Sequence, residues 1–210
     1  MKTASLLVIP PITIALVALL NAAQPPAAMT AEFISVTAPE AGDVASVGDR
    51  AINSIGYSLV VETNTAVVKE GAMAALEKCH LKSLPASGQV LQGVPRITGY
   101  KRTSLKVRDP ANAPDPAEQL ALEHVQKELQ AGNPAPKILL QRVSHADGSK
   151  EWRIYRPVGT TPRCATCHGS TESIAPDVLA ELKKRYPNDA ATGYGPGEWR
   201  GLIRVTVAPK

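Results

Sequence analysis

Two apolar runs joined by a short polar loop make up residues 137–158, KILLQRVSHADGSKEWRIYRPV. The runs cover residues 137–143 and 151–158, and both are rich in the aliphatic and aromatic residues that favour strands. Between them, Asp147-Gly148 is a turn signal. The stretch predicts an antiparallel β-hairpin. We expect strands from the rest of the chain to join this hairpin in one sheet.

Helical patterns lie on both sides of this hairpin. Asp115-Pro116-Ala117-Glu118 is a strong helix start, with Asp as N-cap and Glu three residues later, and the helix is predicted to run to Gln130 before Gly132 and Pro134. Apolar residues at spacings of three and four predict one long amphipathic helix over residues 46–81. A short helix at 176–186 and a closing strand at 202–207 complete the pattern.

The order of elements predicts an α+β fold, a small antiparallel sheet with flanking helices and a long N-terminal helix. At 210 residues the chain has room for one domain and a targeting segment. We assign residues 1–23 to a signal peptide, 24–45 to a linker and 46–210 to the domain. The net charge of +4 is too small and too dispersed to indicate a nucleic-acid partner.

The N-terminus has the pattern of a secretory leader. Lys2 precedes an apolar run over residues 4–20, which is followed by small residues and a Pro/Ala-rich stretch. An uncleaved membrane anchor is the alternative, because the run approaches the length of a transmembrane segment. Pro10-Pro11 in its middle favours cleavage, so we expect an exported, periplasmic protein with no stable membrane span after cleavage.

Cys164-Ala165-Thr166-Cys167-His168 is the attachment signature of a c-type haem. Two thiols at this spacing reach the two vinyl groups, and the adjacent imidazole binds the iron. The alternatives are a redox-active dithiol, a zinc site and a plain disulfide. A dithiol usually opens a helix in a βαβ unit, and the chain has no second paired motif to complete a zinc site. We therefore expect one covalent haem c, attached through Cys164 and Cys167 with His168 as an iron ligand.

The chain has three cysteines, so attachment of the haem leaves Cys79 unpaired. It lies near the end of the apolar stripe of the long helix, where an inert buried thiol is the ordinary finding. An odd cysteine in an exported protein is at risk of oxidation, however, and ligation to iron would protect it. The other candidates for the sixth ligand are His80, His124, His145 and Met73. Cys79 continues the apolar stripe and His80 does not, which favours the cysteine.

Five segments resemble a family of exported single-haem proteins that has long been catalogued as of unknown function: GAMAALEKC (71–79), RTSLKVRDPANAPD (102–115), CATCH (164–168), GYGPG (193–197) and WRG (199–201). The resemblance implies a PAS-like fold, found alone or as the sensory part of membrane signalling proteins. It also implies that Cys79 and His168 hold the iron. His80 is less usual for the family and leaves a bis-histidine arrangement open.

An iron with two protein ligands has no open site for a substrate, so an enzyme is not expected. A redox-active protein with sensor-type architecture, responding to redox state or a diatomic gas through a separate redox or signalling partner, is the favoured hypothesis. A periplasmic electron-transfer cytochrome is the alternative. Arg102 and Arg108 are candidates to pair with the haem propionates, because a guanidinium binds a carboxylate through two hydrogen bonds.

The leader leads to a first prediction. Cleavage shortly after Leu20, within residues 22–31, should leave a mature protein that lacks Met1. N-terminal sequencing of the exported product checks this. An intact Met1 on a membrane-bound product would support the anchor instead.

Overall fold

The computed structural model describes residues 29–79 and 91–210. The described residues form the strands β1 (Thr30–Phe33), β2 (Ile97–Thr103), β3 (Leu139–Ser144), β4 (Lys150–Gly159) and β5 (Trp199–Val207). They also form the helices α1 (Gly42–Lys69), α2 (Ala72–Lys78), α3 (Pro116–Gln130), α4 (Ala165–His168) and α5 (Pro176–Arg185). No helix in these two ranges combines the length and apolar character needed to cross a membrane.

The five strands make one antiparallel sheet in the order β1-β3-β4-β5-β2. The predicted hairpin is its centre: β3 pairs with β4 from Leu139–Tyr155 to Ser144–Lys150. Its turn closes through a hydrogen bond of 3.0 Å from Gly148 N to His145 O, and Gly148 takes the left-handed φ of 83° that suits glycine. The α+β class, with a small PAS-like antiparallel sheet and flanking helices, is confirmed.

Both faces of the sheet are covered by helices. The buried face of α1, including Ile52, Ile55 and Leu59, packs against Leu140, Ile154, Val205 and other residues of one face. The neighbouring residues Leu139, Tyr155 and Leu202 point to the opposite face, where they pack against Ala121, Leu122 and Val125 of α3. This division follows from the period of two in a strand. The domain therefore has three layers, with the sheet between α1 and α3.

The start of α3 has the predicted capping box. Asp115 Oδ1 accepts a hydrogen bond of 2.9 Å from Glu118 N, and Glu118 Oε2 accepts one of 2.9 Å from Asp115 N. Glu118 is fully buried, and Lys101 of β2 pairs with its carboxylate at 2.7 Å. The cap therefore also ties α3 to an edge strand of the sheet.

The single helix predicted over residues 46–81 is wrong, because the chain forms α1 and α2 with a break between them. Gly71 adopts a φ of 88°, which a continuing right-handed helix does not allow. After this break α2 runs in a new direction, and its last turn ends at Cys79, whose N–H donates to Ala75 O. The break therefore decides where Cys79 lies.

Two edge strands were not expected from the sequence. β1 lies in the segment 24–45 assigned to a linker, and α1 begins in the same segment at Gly42, so residues 30–45 are part of the folded domain. β2 begins inside a stretch rich in Gly, Pro and Ser that resembled a loop. Edge strands are held largely by backbone hydrogen bonds, so a clear apolar alternation need not accompany them. The leader at residues 1–23, and residues 24–28 of the expected linker, lie outside the described residues.

Two glycines of α1 test the packing of this helix on the sheet. A Cβ at Gly48 would lie 2.5 Å from Ile154 Cγ1, whereas a Cβ at Gly56 would meet only Ile203 Cδ1 at 3.7 Å. We expect Gly48→Ala to lower the free energy of unfolding by about 1–3 kcal/mol through overpacking. The matched Gly56→Ala should raise it by up to about 1 kcal/mol through helix propensity. Urea unfolding measures both, and equal effects would contradict this packing.

Candidate functional site

The motif CATCH folds as a compact turn. A 3-10 turn at Pro162–Cys164 leads directly into α4, so Cys164, Cys167 and His168 project from consecutive turns of the chain. Thr161 N lies 3.2 Å from Cys164 Sγ and helps to hold this entry. Cys164, Cys167 and Cys79 are all free thiols. Cys164, Cys167 and His168 therefore lie together in one short segment, and neither of these two cysteines is in a disulfide.

His168 is nearly buried, with 9% of its surface exposed. Its Nδ1 lies 2.7 Å from the carbonyl oxygen of Ala191, and because a carbonyl can only accept, the ring carries its proton on Nδ1. Burial, reinforced by Arg108, Arg200 and Arg102, lowers the pKa of His168 to about 3. At neutral pH the ring is thus a neutral imidazole with a lone pair on Nε2, the form that binds a metal ion.

A cleft opens between α2, the end of β2 and the start of β5. It contains about 680 Å³ of space between atoms, part of it open to solvent. Its wall includes the apolar residues Leu76, Val107, Val158 and Leu202. His168 and Cys79 line the same cleft. The two residues predicted as iron ligands are therefore brought to one site from distant parts of the chain.

A small apolar cluster keeps α2 beside the motif. Leu76 of α2 is buried with Ile174, Val178 and Leu182, and Cys167 packs against this cluster. Burial raises the pKa of the Cys167 thiol to about 11. Cys79 follows Leu76 at the end of α2, and Arg102 Nη1 lies 3.8 Å from its Sγ. Arg102 thus places a cationic group next to the sulfur of Cys79.

The structure separates the candidates for the sixth ligand. His124 stacks on Phe33 at a ring distance of 5.0 Å, and His145 lies 3.3 Å from Glu151 in the hairpin. Neither residue lines the cleft, nor does Met73, which is 39% exposed on α2. Among these candidates Cys79 alone lies at the cleft within the described residues. His80 lies outside the described residues and stays an alternative.

Arginines supply positive charge to the polar part of the cleft wall, which also includes Asp109, Ser104 and Asn112. Arg102 and Arg108, the candidates predicted to bind propionates, both line it. Two nitrogens of Arg108 already have protein acceptors, because Nε pairs with Asp189 at 2.9 Å and Nη2 donates to the carbonyls of Cys167 and Ala191. The pairing of Arg102 or Arg108 with a propionate stays a prediction.

Arg200 is a cleft residue that sequence reasoning did not single out. Burial, with Arg102 and Arg108 nearby, lowers its pKa. Its buried Nε has no hydrogen-bond partner among the described residues, and neither has the buried Oγ1 of Thr103 in the same wall. Its place in the segment WRG was the available signal. Unpaired donors beside clustered arginines suit an anionic group, so this wall fits the carboxylates of a haem.

Tyr194 is a second residue that the sequence did not identify as part of the site. Its ring meets His168 edge-on, with centroids 6.3 Å apart and an interplanar angle of 89°. Lys106 and Arg200 lie over the ring at 5.0 and 5.2 Å. The cleft is lined by Cys79 and His168 but not by Cys164 or Cys167, which lie next to it in the motif. Its thiol, neutral imidazole, apolar walls and cationic groups fit a haem, whose ring needs an apolar slot and whose propionates need positive charge.

Comparisons with known proteins point in the same direction. The sequence model of the Tll0287-like family matches residues 62–208. The fold is similar to that of the cyanobacterial heme-protein Tll0287, known from its crystal structure, with a TM-score of 0.54 and 20% sequence identity. That match covers 83% of this chain and 98% of the other. No curated protein sequence matches the chain.

The raised pKa of Cys167 has a testable consequence in the haem-free chain. At pH 8 a thiol with a pKa of about 11 is about one-thousandth thiolate, so its alkylation by iodoacetamide should be slow and should rise about 100-fold by pH 10. In the urea-unfolded chain, where the pKa is ordinary, the same step should raise the rate by less than about tenfold. Mass mapping of Cys167 measures both rates. Identical pH profiles in the two states would contradict the buried position of this thiol.

Proposed function

Because the chain belongs to the Tll0287-like family, and because Cys79 and His168 line one cleft beside the paired thiols of the motif, we propose that it carries one covalently attached haem c. The observation that carries this proposal is the convergence of a cysteine from α2 and a histidine from α4 on a single cleft. The structurally similar cyanobacterial heme-protein Tll0287 supports the choice of cofactor.

In this proposal the motif attaches the haem to the chain, and residues that line the cleft bind its iron. Cys164 and Cys167 would hold the haem through thioether bonds, and His168, held by its Nδ1 hydrogen bond, would offer Nε2 to the iron. Cys79, with Arg102 beside its sulfur, would hold the iron as the second protein ligand. When bound, the haem supplies one-electron redox chemistry. A thiolate ligand donates electron density and lowers the reduction potential.

A redox-active protein with sensor-type architecture is the function that this ligand pair supports best. Ferric iron binds an anionic thiolate well, and ferrous iron binds it less strongly. Weaker binding of Cys79 to a reduced iron would free the end of α2, the short helix that the break at Gly71 separates from α1. A single electron would then shift the balance between two arrangements of α2. A two-state element of this kind is the minimum that a sensor requires. The signal passes to a separate redox or signalling protein.

A periplasmic electron-transfer cytochrome is the second candidate. Tyr194, half-buried and in edge contact with His168, provides a short route from the iron ligand towards the surface. An iron held by two protein side chains would have no open position for a substrate, so we propose neither candidate as an enzyme.

The haem content can be measured directly. After extraction with acidic acetone, a pyridine haemochrome assay should find one haem per chain remaining with the protein. Cys164→Ala and Cys167→Ala should each lose one of the two covalent bonds, whereas the matched Cys79→Ala should keep both, because Cys79 ligates and does not attach. Release of the wild-type haem into the organic phase would contradict the proposal.

Carbon monoxide tests the effect of reduction. The ferrous protein should bind carbon monoxide because its bond to Cys79 is weakened, while the ferric protein should keep its low-spin optical spectrum. Titration of both states with the gas, followed by absorption, measures this. If the ferrous form does not bind carbon monoxide, the protein is not a gas sensor. A midpoint potential in the range of Met-ligated cytochromes would favour the electron-carrier function.

A further inference from the structure

The loop between α5 and β5 makes backbone hydrogen bonds to the haem motif and to the segment that follows β2. Gly193 N donates to Gly169 O at 2.7 Å, and Tyr194 N donates to His168 O at 2.8 Å. Ala190 N donates to Val107 O at 3.0 Å, on the segment that follows β2. Two charged side chains, Asp189 and Arg108, lie at the centre of these contacts. We infer that Asp189 and Arg108 are positioning residues that hold the imidazole of His168 in the orientation and tautomer needed by the iron.

The geometry connects the pair to the ring through one peptide group. Asp189 Oδ1 accepts a hydrogen bond of 2.8 Å from Ala191 N, and its Oδ2 accepts one of 2.9 Å from Arg108 Nε. Arg108 Nη2 donates to Ala191 O at 3.2 Å, the same oxygen that accepts from His168 Nδ1 at 2.7 Å. The N–H and the carbonyl of Ala191 are therefore both held, and the carbonyl oxygen stays where the ring proton needs it.

Arg108 also contacts the backbone of the helical turn that carries His168. Its Nη2 lies 2.5 Å from Cys167 O, in the helical turn that carries His168. The guanidinium thus bridges the backbone on which the imidazole is mounted and the backbone to which its Nδ1 donates. A lysine has the same charge but no planar fork, so it cannot make the three contacts together.

The ion pair between Arg108 and Asp189 is largely buried. The side chains of Arg108 and Asp189 are only 12% and 10% exposed, so solvent screens their contact little and removal of either leaves a buried charge without its partner. Partners that orient a metal-ligating histidine in this way affect metal binding although they never touch the metal. The inference rests on the proposed ligation by His168, and it adds that the ligand's geometry depends on residues outside the motif.

Asp189→Asn and Arg108→Lys test the inference in the haem-loaded protein. Proton NMR of the ferric low-spin form resolves the Nδ1 proton of an axial histidine, and its exchange with solvent reports how firmly Ala191 O holds it. Because such partners typically change metal affinity or activity by about 10- to 100-fold, and because the carbonyl that accepts the proton loses the groups that hold it, we expect exchange to become at least about tenfold faster in both variants. Asp49→Asn is the control, because it breaks an ion pair with Arg156 on the α1 side of the sheet.

A purely structural role makes a different prediction. Urea unfolding of each variant gives its global stability, and exchange that rises only as much as global unfolding does would overturn the inference. Wild-type exchange in either variant would overturn it as well. The haemochrome assay on the same samples separates this outcome from failure of the proposed function: absence of covalent haem contradicts the function, whereas bound haem with unchanged exchange contradicts only the role of Asp189 and Arg108.

Discussion

The hydrogen bond from His168 Nδ1 to the carbonyl of Ala191 is the constraint on which the candidate site depends. It selects the tautomer with a free Nε2 and aims that nitrogen at the cleft, while burial and the nearby arginines lower the pKa of the ring and keep it neutral. The bond joins two segments that are far apart in sequence, the motif helix and the loop before β5. Asp189 and Arg108 brace the acceptor from both sides. The motif that would attach the haem therefore depends on a separate loop for the orientation of its histidine.

The two-sided sheet explains why there is space for a cofactor. α1 covers one face completely enough that Gly48 has no room for a methyl group against Ile154. α3 covers only part of the other face, and the cleft lies beside it, bounded by α2 and the arginines of β2 and β5. The break at Gly71 places α2 there, so Cys79 reaches the cleft because α1 does not continue.

Features with strong local signals were predictable from the sequence. The attachment motif, the capping box of α3 and the β3–β4 hairpin each depend on residues within a few positions of one another. The helix break, the edge strands β1 and β2, and the roles of Arg200 and Tyr194 depend on contacts over long distances in the chain. Arg200, for example, donates a hydrogen bond to the carbonyl of Lys106 and lies over the ring of Tyr194. The periodicity of apolar residues in the sequence predicts neither contact.

The identity of the second axial ligand is the central claim, and the ferric electron paramagnetic resonance spectrum tests it most directly. Wild type, Cys79→Ala and His80→Ala should be compared at the same haem loading. A low-spin signal typical of thiolate ligation that is lost in Cys79→Ala and kept in His80→Ala is the predicted result. A signal that survives in Cys79→Ala and disappears in His80→Ala would show a bis-histidine cytochrome, and electron transfer would then replace sensing as the proposed function.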